Sequence, residues 1–221
     1  MTDPAHRAVP ASTDTPLGAI LAGGASRRFG SPKALAMVGG RTIVERVRDA
    51  IEEAVGHAVL ITNEPELFAA LRLPSRPDVH PGAGPVAGIE VALRWAEEEG
   101  RPGALVAACD VPFLDPRALR LILDVARSAS PSPDAVTVGP GDGGRPPLCA
   151  YFSIRCLPAV ERVLAGAERS VRALLSSVTT AWVPTEEIAR FRDPEVMFFN
   201  VNAPDDLRRA EQIARELDER A

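Results

Sequence analysis

The chain has 221 residues, with 25 Lys+Arg against 30 Asp+Glu and a formal net charge of −5. That balance argues against a general nucleic-acid binder, which carries a basic face, and no window reaches the ~18 apolar residues of a membrane span. With 46% hydrophobic and 25% charged residues, the composition is that of a globular chain long enough for one well-built core.

Residues 1–16 (MTDPAHRAVPASTDTP) are polar and rich in Pro and Thr, with no apolar core of a signal peptide. They read as a disordered tail ahead of a single domain over 17–221, and the expected compartment is the cytoplasm. LGAIL (17–21) is a short β run. TIVERVRDAIEEAV follows with Val44, Val47, Ile51 and Ala54 at helical spacing, and Thr42 with Glu45 has the spacing of a capping box. HAVLIT (57–62) predicts a second strand and PELFAAL a short helix. After a Pro/Gly loop (74–84), Val86, Ile89, Leu93 and Ala96 mark another helix. GALVAAC (103–109) is the clearest strand, and Asp115-Pro116 opens the next helix with a good N-cap and a first-turn proline. DAVTV and PLCAYFS predict strands around the turn-rich GPGDGGRP. CLPAVERVLAG and SVRALLSS predict helices, TTAWVP a strand, and the end of the chain a helix carrying Leu207, Ala210, Ala214 and Leu217. Strands alternating with helices predict an α/β fold of three layers with a mainly parallel sheet.

In such sheets ligands bind beyond the C-terminal ends of the strands, so those ends are where chemistry is sought. The first strand runs into LAGGASRRFGSPK. Its glycines let backbone N–H groups approach phosphate oxygens, and Arg28 and Lys33 add the charge that a triphosphate demands. From Leu21 to Arg48 there are six basic residues (Arg27, Arg28, Lys33, Arg41, Arg46, Arg48) and one acidic, Glu45, which points to a small anion at this corner. The spacing fits neither a P-loop nor the dinucleotide-binding glycine fingerprint. Asp110 directly follows the clearest strand, in CDVPFL, where a carboxylate can hold Mg²⁺ against phosphate oxygens; the plain alternative is a turn aspartate. Asn63 ends the second strand and serves equally as a helix cap. Asp78 suits ribose hydroxyls, a guanine edge, or a solvated loop. In FFNVNAPDDL, Pro204 prefers the first helical position, which makes Ala203 the cap and leaves Asn200 and Asn202 on an extended segment.

The remaining polar residues carry less. Cys109, Cys149 and Cys156 form no disulfide framework, and His6, His57 and His80 are not placed for a zinc site or a catalytic triad. His57 and His80 read as a strand-end and a loop residue, and Trp95 and Trp182 as packing.

In this order the segments resemble the molybdenum cofactor guanylyltransferase family, often called MobA. Leu21 to Gly24, Ser26, Arg28, Gly30 and Lys33 match its first motif. PGAGPVAGI (81–89), CDVPFL (109–114), PPLCAYF (146–152) and FFNVNAPDDL (198–207) match later ones. The resemblance implies a Rossmann-like nucleotidyltransferase fold that joins GMP from GTP to molybdenum–molybdopterin with Mg²⁺ and releases pyrophosphate. It implies nucleotide contacts at Leu21, Ala22, Gly23, Gly24, Lys33, Asn63, Asp78 and Asp110, with Asp110 also the metal ligand and Asn200 and Asn202 on the substrate side. Arg28, Lys33 and Asp110 would carry the catalysis. Other cofactor-synthesis proteins or molybdoenzymes would complete the partners, with no nucleic acid and no membrane among them.

Two departures keep alternatives open. Phe29 replaces the usual Met, and Pro32 stands where the family has Asp before the lysine. A Pro-Lys pair is common in sugar-phosphate and cytidylyl transferases. The alternatives are therefore a relative using CTP or another phosphate acceptor, and a non-catalytic nucleotide-binding homologue. Ala203 also replaces Thr before Pro204, at a cost of roughly 1 kcal/mol in cap strength.

Overall fold

The computed structural model describes residues 14–23, 33–80, 82–139 and 148–219. Expectations for the tail over 1–13, for Gly24 and for Arg28 lie outside these residues.

The strands are β1 (Leu17–Leu21), β2 (Met37–Val38), β3 (Arg41–Thr42), β4 (Val59–Ile61), β5 (Ser75–Arg76), β6 (Gly103–Ala108), β7 (Ala135–Val138), β8 (Cys149–Ser153) and β9 (Thr180–Val183). The helices are α1 (Ile43–Val55), α2 (Pro85–Glu98), α3 (Pro116–Ser128), α4 (Leu157–Ala165), α5 (Val171–Ser176), α6 (Thr185–Ala189), α7 (Pro194–Met197) and α8 (Pro204–Asp218). Seven of the described strands form one sheet in the order β5-β4-β1-β6-β8-β7-β9. Neighbours run parallel except around β8, which is antiparallel to both β6 and β7. The expected three-layer, mainly parallel α/β architecture is present.

Strand periodicity of two sorts the core into layers. On β1, Ile20 packs with Val44, Val47 and Ile51 of α1 and Leu119 and Ile122 of α3. Leu17, Ala19 and Leu21 point the other way, into a cluster with α2 and α4. On β6, Leu105 and Ala107 join the first cluster, and Ala104 and Val106 join the second. A third, smaller cluster buries Val38 and Ile43 against Phe113, Val201 and the inner face of α8. It seats the C-terminal segment beside the end of β6, where the Val201 N–H donates to the Asp110 carbonyl at 3.0 Å.

The cap signals hold. Thr42 and Glu45 close a reciprocal capping box, with Glu45 Oε2 accepting from the Thr42 N–H at 2.8 Å and Thr42 Oγ1 accepting from the Glu45 N–H at 3.3 Å. Asp115 Oδ1 accepts from the Arg117 N–H at 2.9 Å, which caps α3. Ala203 caps α8 without a side-chain acceptor. Asp206 compensates by accepting the N–H groups of Asn202 and Ala203, both at 2.8 Å. The short helix expected in PELFAAL is present as a 3-10 helix (Pro65–Leu71). The β2–β3 hairpin, β5, α6 and α7 are additional elements. No helix among the described residues is long and apolar enough to cross a membrane.

Candidate active site

The parallel strands β1, β4, β5 and β6 end on one edge of the sheet, and β8 enters at that edge because it runs the other way. Hydrogen bonds continue past the regular ladders. The Ala22 N–H donates to the Ile61 carbonyl at 2.9 Å, Cys109 N–H to Leu21 at 3.1 Å, Thr62 N–H to Arg76 at 2.9 Å, and Ala108 N–H to Leu148 at 2.9 Å. The loop residues that begin the site are thus held almost as firmly as the strands.

A cavity of about 430 Å³ opens at this edge, lined by Leu21, Gly23, Lys33, Asn63, Asp78 and Asp110, together with Gly82, Gly84 and Gly88. Its size is that of a small-molecule site. Gly82 (φ +82°) and Gly84 (φ +79°) occupy a backbone region that other residues rarely adopt. A Cβ at Gly88 would stand 3.0 Å from the Leu21 side chain, so this glycine lets α2 lie close on the end of β1.

Lys33, in a short 3-10 turn, reaches 77 residues along the chain to make an ion pair with Asp110 Oδ2, and its Nζ also donates to Asn202 Oδ1 at 2.9 Å. Both charged side chains are largely buried, Lys33 at 22% and Asp110 at 12% side-chain exposure. The other carboxylate oxygen, Asp110 Oδ1, is buried with no hydrogen-bond partner. A buried carboxylate oxygen left without a donor is costly, and it is the atom a hard cation would take. The residues fit Mg²⁺, which is typically held by one or two carboxylates together with substrate phosphates. Among the described residues no group of three or more His, Cys, Asp or Glu gathers. Neighbouring Cys109 is no competitor, since burial, reinforced by the charge of Asp110, pushes its thiol up to about 12.

Asn63 is not a helix cap. Its Oδ1 accepts from the Asp78 N–H at 2.8 Å, and Asp78 Oδ1 in turn accepts from the His80 N–H at 2.8 Å. The two residues at the ends of β4 and β5 therefore fix each other beside the cavity. Ala22, the remaining described residue implied to touch nucleotide, directly follows β1 but does not line the cavity, and its backbone N–H is committed to Ile61.

A second cavity, of about 680 Å³, adjoins the first at Asp110. Asn200, Asn202, Phe198, Arg169, Ser170 and Arg172 line it, and it shares Pro85, Ala108, Asp110 and Leu148 with the first. Asn200 and Asn202 thus line a cavity, although Asn202 is engaged by Lys33. Arg169 and Arg172 were not legible as site residues. They lie one residue before and two after Ser170, whose hydroxyl accepts from the Ala173 N–H at 3.1 Å, so the stretch reads simply as a helix start.

The surplus of basic residues near the glycine segment needs correction. Arg41 and Arg48 both pair with Asp49. Arg46 donates to the Val38 carbonyl at 2.7 Å and lies over the Phe113 ring. Of the described members of that set, only Lys33 lines the cavity; the others hold the hairpin and α1.

The family model described as the MobA-like NTP transferase domain matches residues 18–181. The molybdenum cofactor guanylyltransferase of Desulfosudis oleivorans is 32% identical over 200 residues, covering 90% of this chain and 95% of that protein. Its counterpart from Rhizobium meliloti is 34% identical over 217 residues, covering 96% and 97%. The crystal structure of molybdopterin-guanine dinucleotide biosynthesis protein A from Archaeoglobus fulgidus matches with a TM-score of 0.74 at 28% identity, covering 90% of this chain and 98% of that one.

Proposed function

The chain belongs to the MobA-like NTP transferase family, and on that premise we propose that this nucleotidyltransferase moves GMP from GTP onto the terminal phosphate of molybdenum–molybdopterin. The observation that carries the proposal is the pair of cavities meeting at one buried carboxylate, Asp110, which lines both. A reaction that joins two phosphates needs two ligand spaces with the charge-neutralising groups between them.

The first cavity takes the nucleotide. The backbone at Gly23, just past the paired Ala22 N–H, meets the triphosphate, and Asn63 and Asp78 meet the guanosine. The second takes the pterin, whose phosphate lies toward Arg169, Arg172, Asn200 and Asn202. An oxygen of that phosphate attacks the α-phosphorus of GTP. A new P–O–P linkage forms, the α–β linkage breaks, and pyrophosphate leaves with its electron pair. A phosphate monoester with a second pKa of about 6 is mostly dianionic at neutral pH, so no general base is required. Cancelling repulsion between two phosphates is required, and preorganised charge supplies it.

Lys33 serves both sides. Its ammonium moves from Asp110 toward the phosphates as they arrive, while Asn202 keeps it in reach. Asp110 would hold Mg²⁺, which would supply further neutralisation of phosphate charge.

Equilibrium binding of GTP, CTP, ATP and UTP, each with and without Mg²⁺, tests the reading. GTP is expected to bind best, and its affinity to fall in Asp110→Ala when Mg²⁺ is present. Tightest binding of CTP would move the chain to the cytidylyl branch.

A further inference from the structure

Resting on the nucleotide reading of the smaller cavity, we infer that His80 and Glu90 are positioning residues that tether the nucleotide loop to α2. Glu90 is an anomaly of its helix. It occupies a core-facing turn of α2 among Val86, Ala87, Ile89 and Leu93, and it is 5% exposed. An apolar residue there would build the helix interface at lower cost, because a buried carboxylate must be desolvated. Arg94 satisfies only half of it, donating to Oε1 through Nε at 3.0 Å and Nη2 at 2.9 Å. That guanidinium is itself shared with Glu161 of α4, at 2.8 Å.

The other oxygen, Oε2, is buried and has no hydrogen-bond partner. The group it faces is the imidazole of His80, with Nε2 at 3.3 Å. His80 is the knot of the loop. Its N–H donates to Asp78 Oδ1 at 2.8 Å, and its carbonyl accepts from the Ala83 N–H at 3.0 Å. Asp78, Gly82 and Gly84 of the same loop line the nucleotide cavity. The chain of contacts therefore runs from the cavity through Asp78 and the His80 backbone to the His80 ring, and ends on a rigid helix. Glu90 never touches the cavity; it acts through His80, and His80 acts through Asp78.

The test combines hydrogen exchange of the free protein with GTP affinity in a short variant series. Glutamine places an amide donor where the imidazole has Nε2, and asparagine places one where it has Nδ1. His80→Gln is expected to resemble wild type. His80→Asn and Glu90→Leu are expected to speed exchange at Val79, His80, Gly82, Ala83 and Gly84 and to raise the GTP Kd by about tenfold, with kcat at saturating GTP within about twofold. A thermal midpoint held or raised in Glu90→Leu alongside weaker GTP binding would separate positioning from stability. Unchanged exchange in His80→Asn overturns the tether whatever the nucleotide. Faster exchange with an unchanged Kd overturns the positioning role. A wild-type protein that binds no nucleoside triphosphate contradicts the nucleotide reading itself, and the exchange data still decide the tether. Should Glu90→Leu fail to fold, the His80 pair decides alone, since that side chain is half exposed.

Discussion

Lys33 joins three segments that are far apart in sequence: the turn after the glycine segment, the β6 end and the C-terminal asparagine motif. Removing its charge leaves Asp110 a largely buried carboxylate with neither oxygen paired, and leaves the phosphates less neutralised. Lys33→Ala and Asp110→Ala are each expected to lower turnover by about 10²- to 10³-fold, the usual loss for one preorganised electrostatic group, with the circular dichroism spectrum unchanged. Near-normal turnover in either variant would remove that residue from the mechanism. Arg169 and Arg172 line only the larger cavity. Their alanine variants are expected to raise the acceptor KM by about tenfold, the effect of one charged hydrogen bond, and to leave the GTP Kd unchanged. A parallel loss of GTP affinity would place the acceptor elsewhere.

The elements that carried strong local chemistry were legible in the sequence. Thr42 and Glu45 announced the start of α1, and Asp115-Pro116 that of α3, because a cap is a contact between near neighbours and needs no tertiary information. Thr42→Ala is expected to cost about 1 kcal/mol, read in thermal unfolding as a drop of about 2–4 °C for a chain of this size. No change would mean that the box contributes nothing beyond tertiary packing. The β2–β3 hairpin and β5 could not be read, because two residues cannot display a period; packing against α8 and pairing with β4 define them. Nor could the direction of β8 be read. Its five residues are all buried, and such a run looks the same in either orientation.

For the molecule as a whole, the rule that ligands gather beyond parallel strand ends pointed from sequence alone to the glycine segment, Asn63 and Asp110, which line one cavity with Asp78; Asp78 had no legible strand before it. What it could not supply was the sharing of charge. Six cations near the glycine segment suggested an anion, yet Arg41, Arg46 and Arg48 are spent on Asp49 and the hairpin. The second cavity draws its cations from Arg169 and Arg172, more than 130 residues away along the chain. Only three-dimensional packing of the α4–α5 turn beside Asn200 reveals that.

The half-buried His57 ties stability to pH. Burial, aided by the charge of Arg101, holds its imidazole below the ordinary 6.5. Nδ1 lies 3.1 Å from the Val55 carbonyl and Nε2 is buried with no partner. The unfolded chain therefore takes up this proton before the folded one does, so stability is lost as pH falls below about 6.5. His57→Gln is expected to flatten the thermal midpoint between pH 7 and pH 5.5. A slope identical to wild type would assign the loss to other groups.

The most direct test of the central claim is pyrophosphate release from GTP and Mg²⁺ with and without molybdenum–molybdopterin. Release that depends on the acceptor, exceeds that from CTP, and matches the guanine dinucleotide formed is the predicted result. GTP binding without acceptor-dependent release, or faster release from CTP, would contradict it.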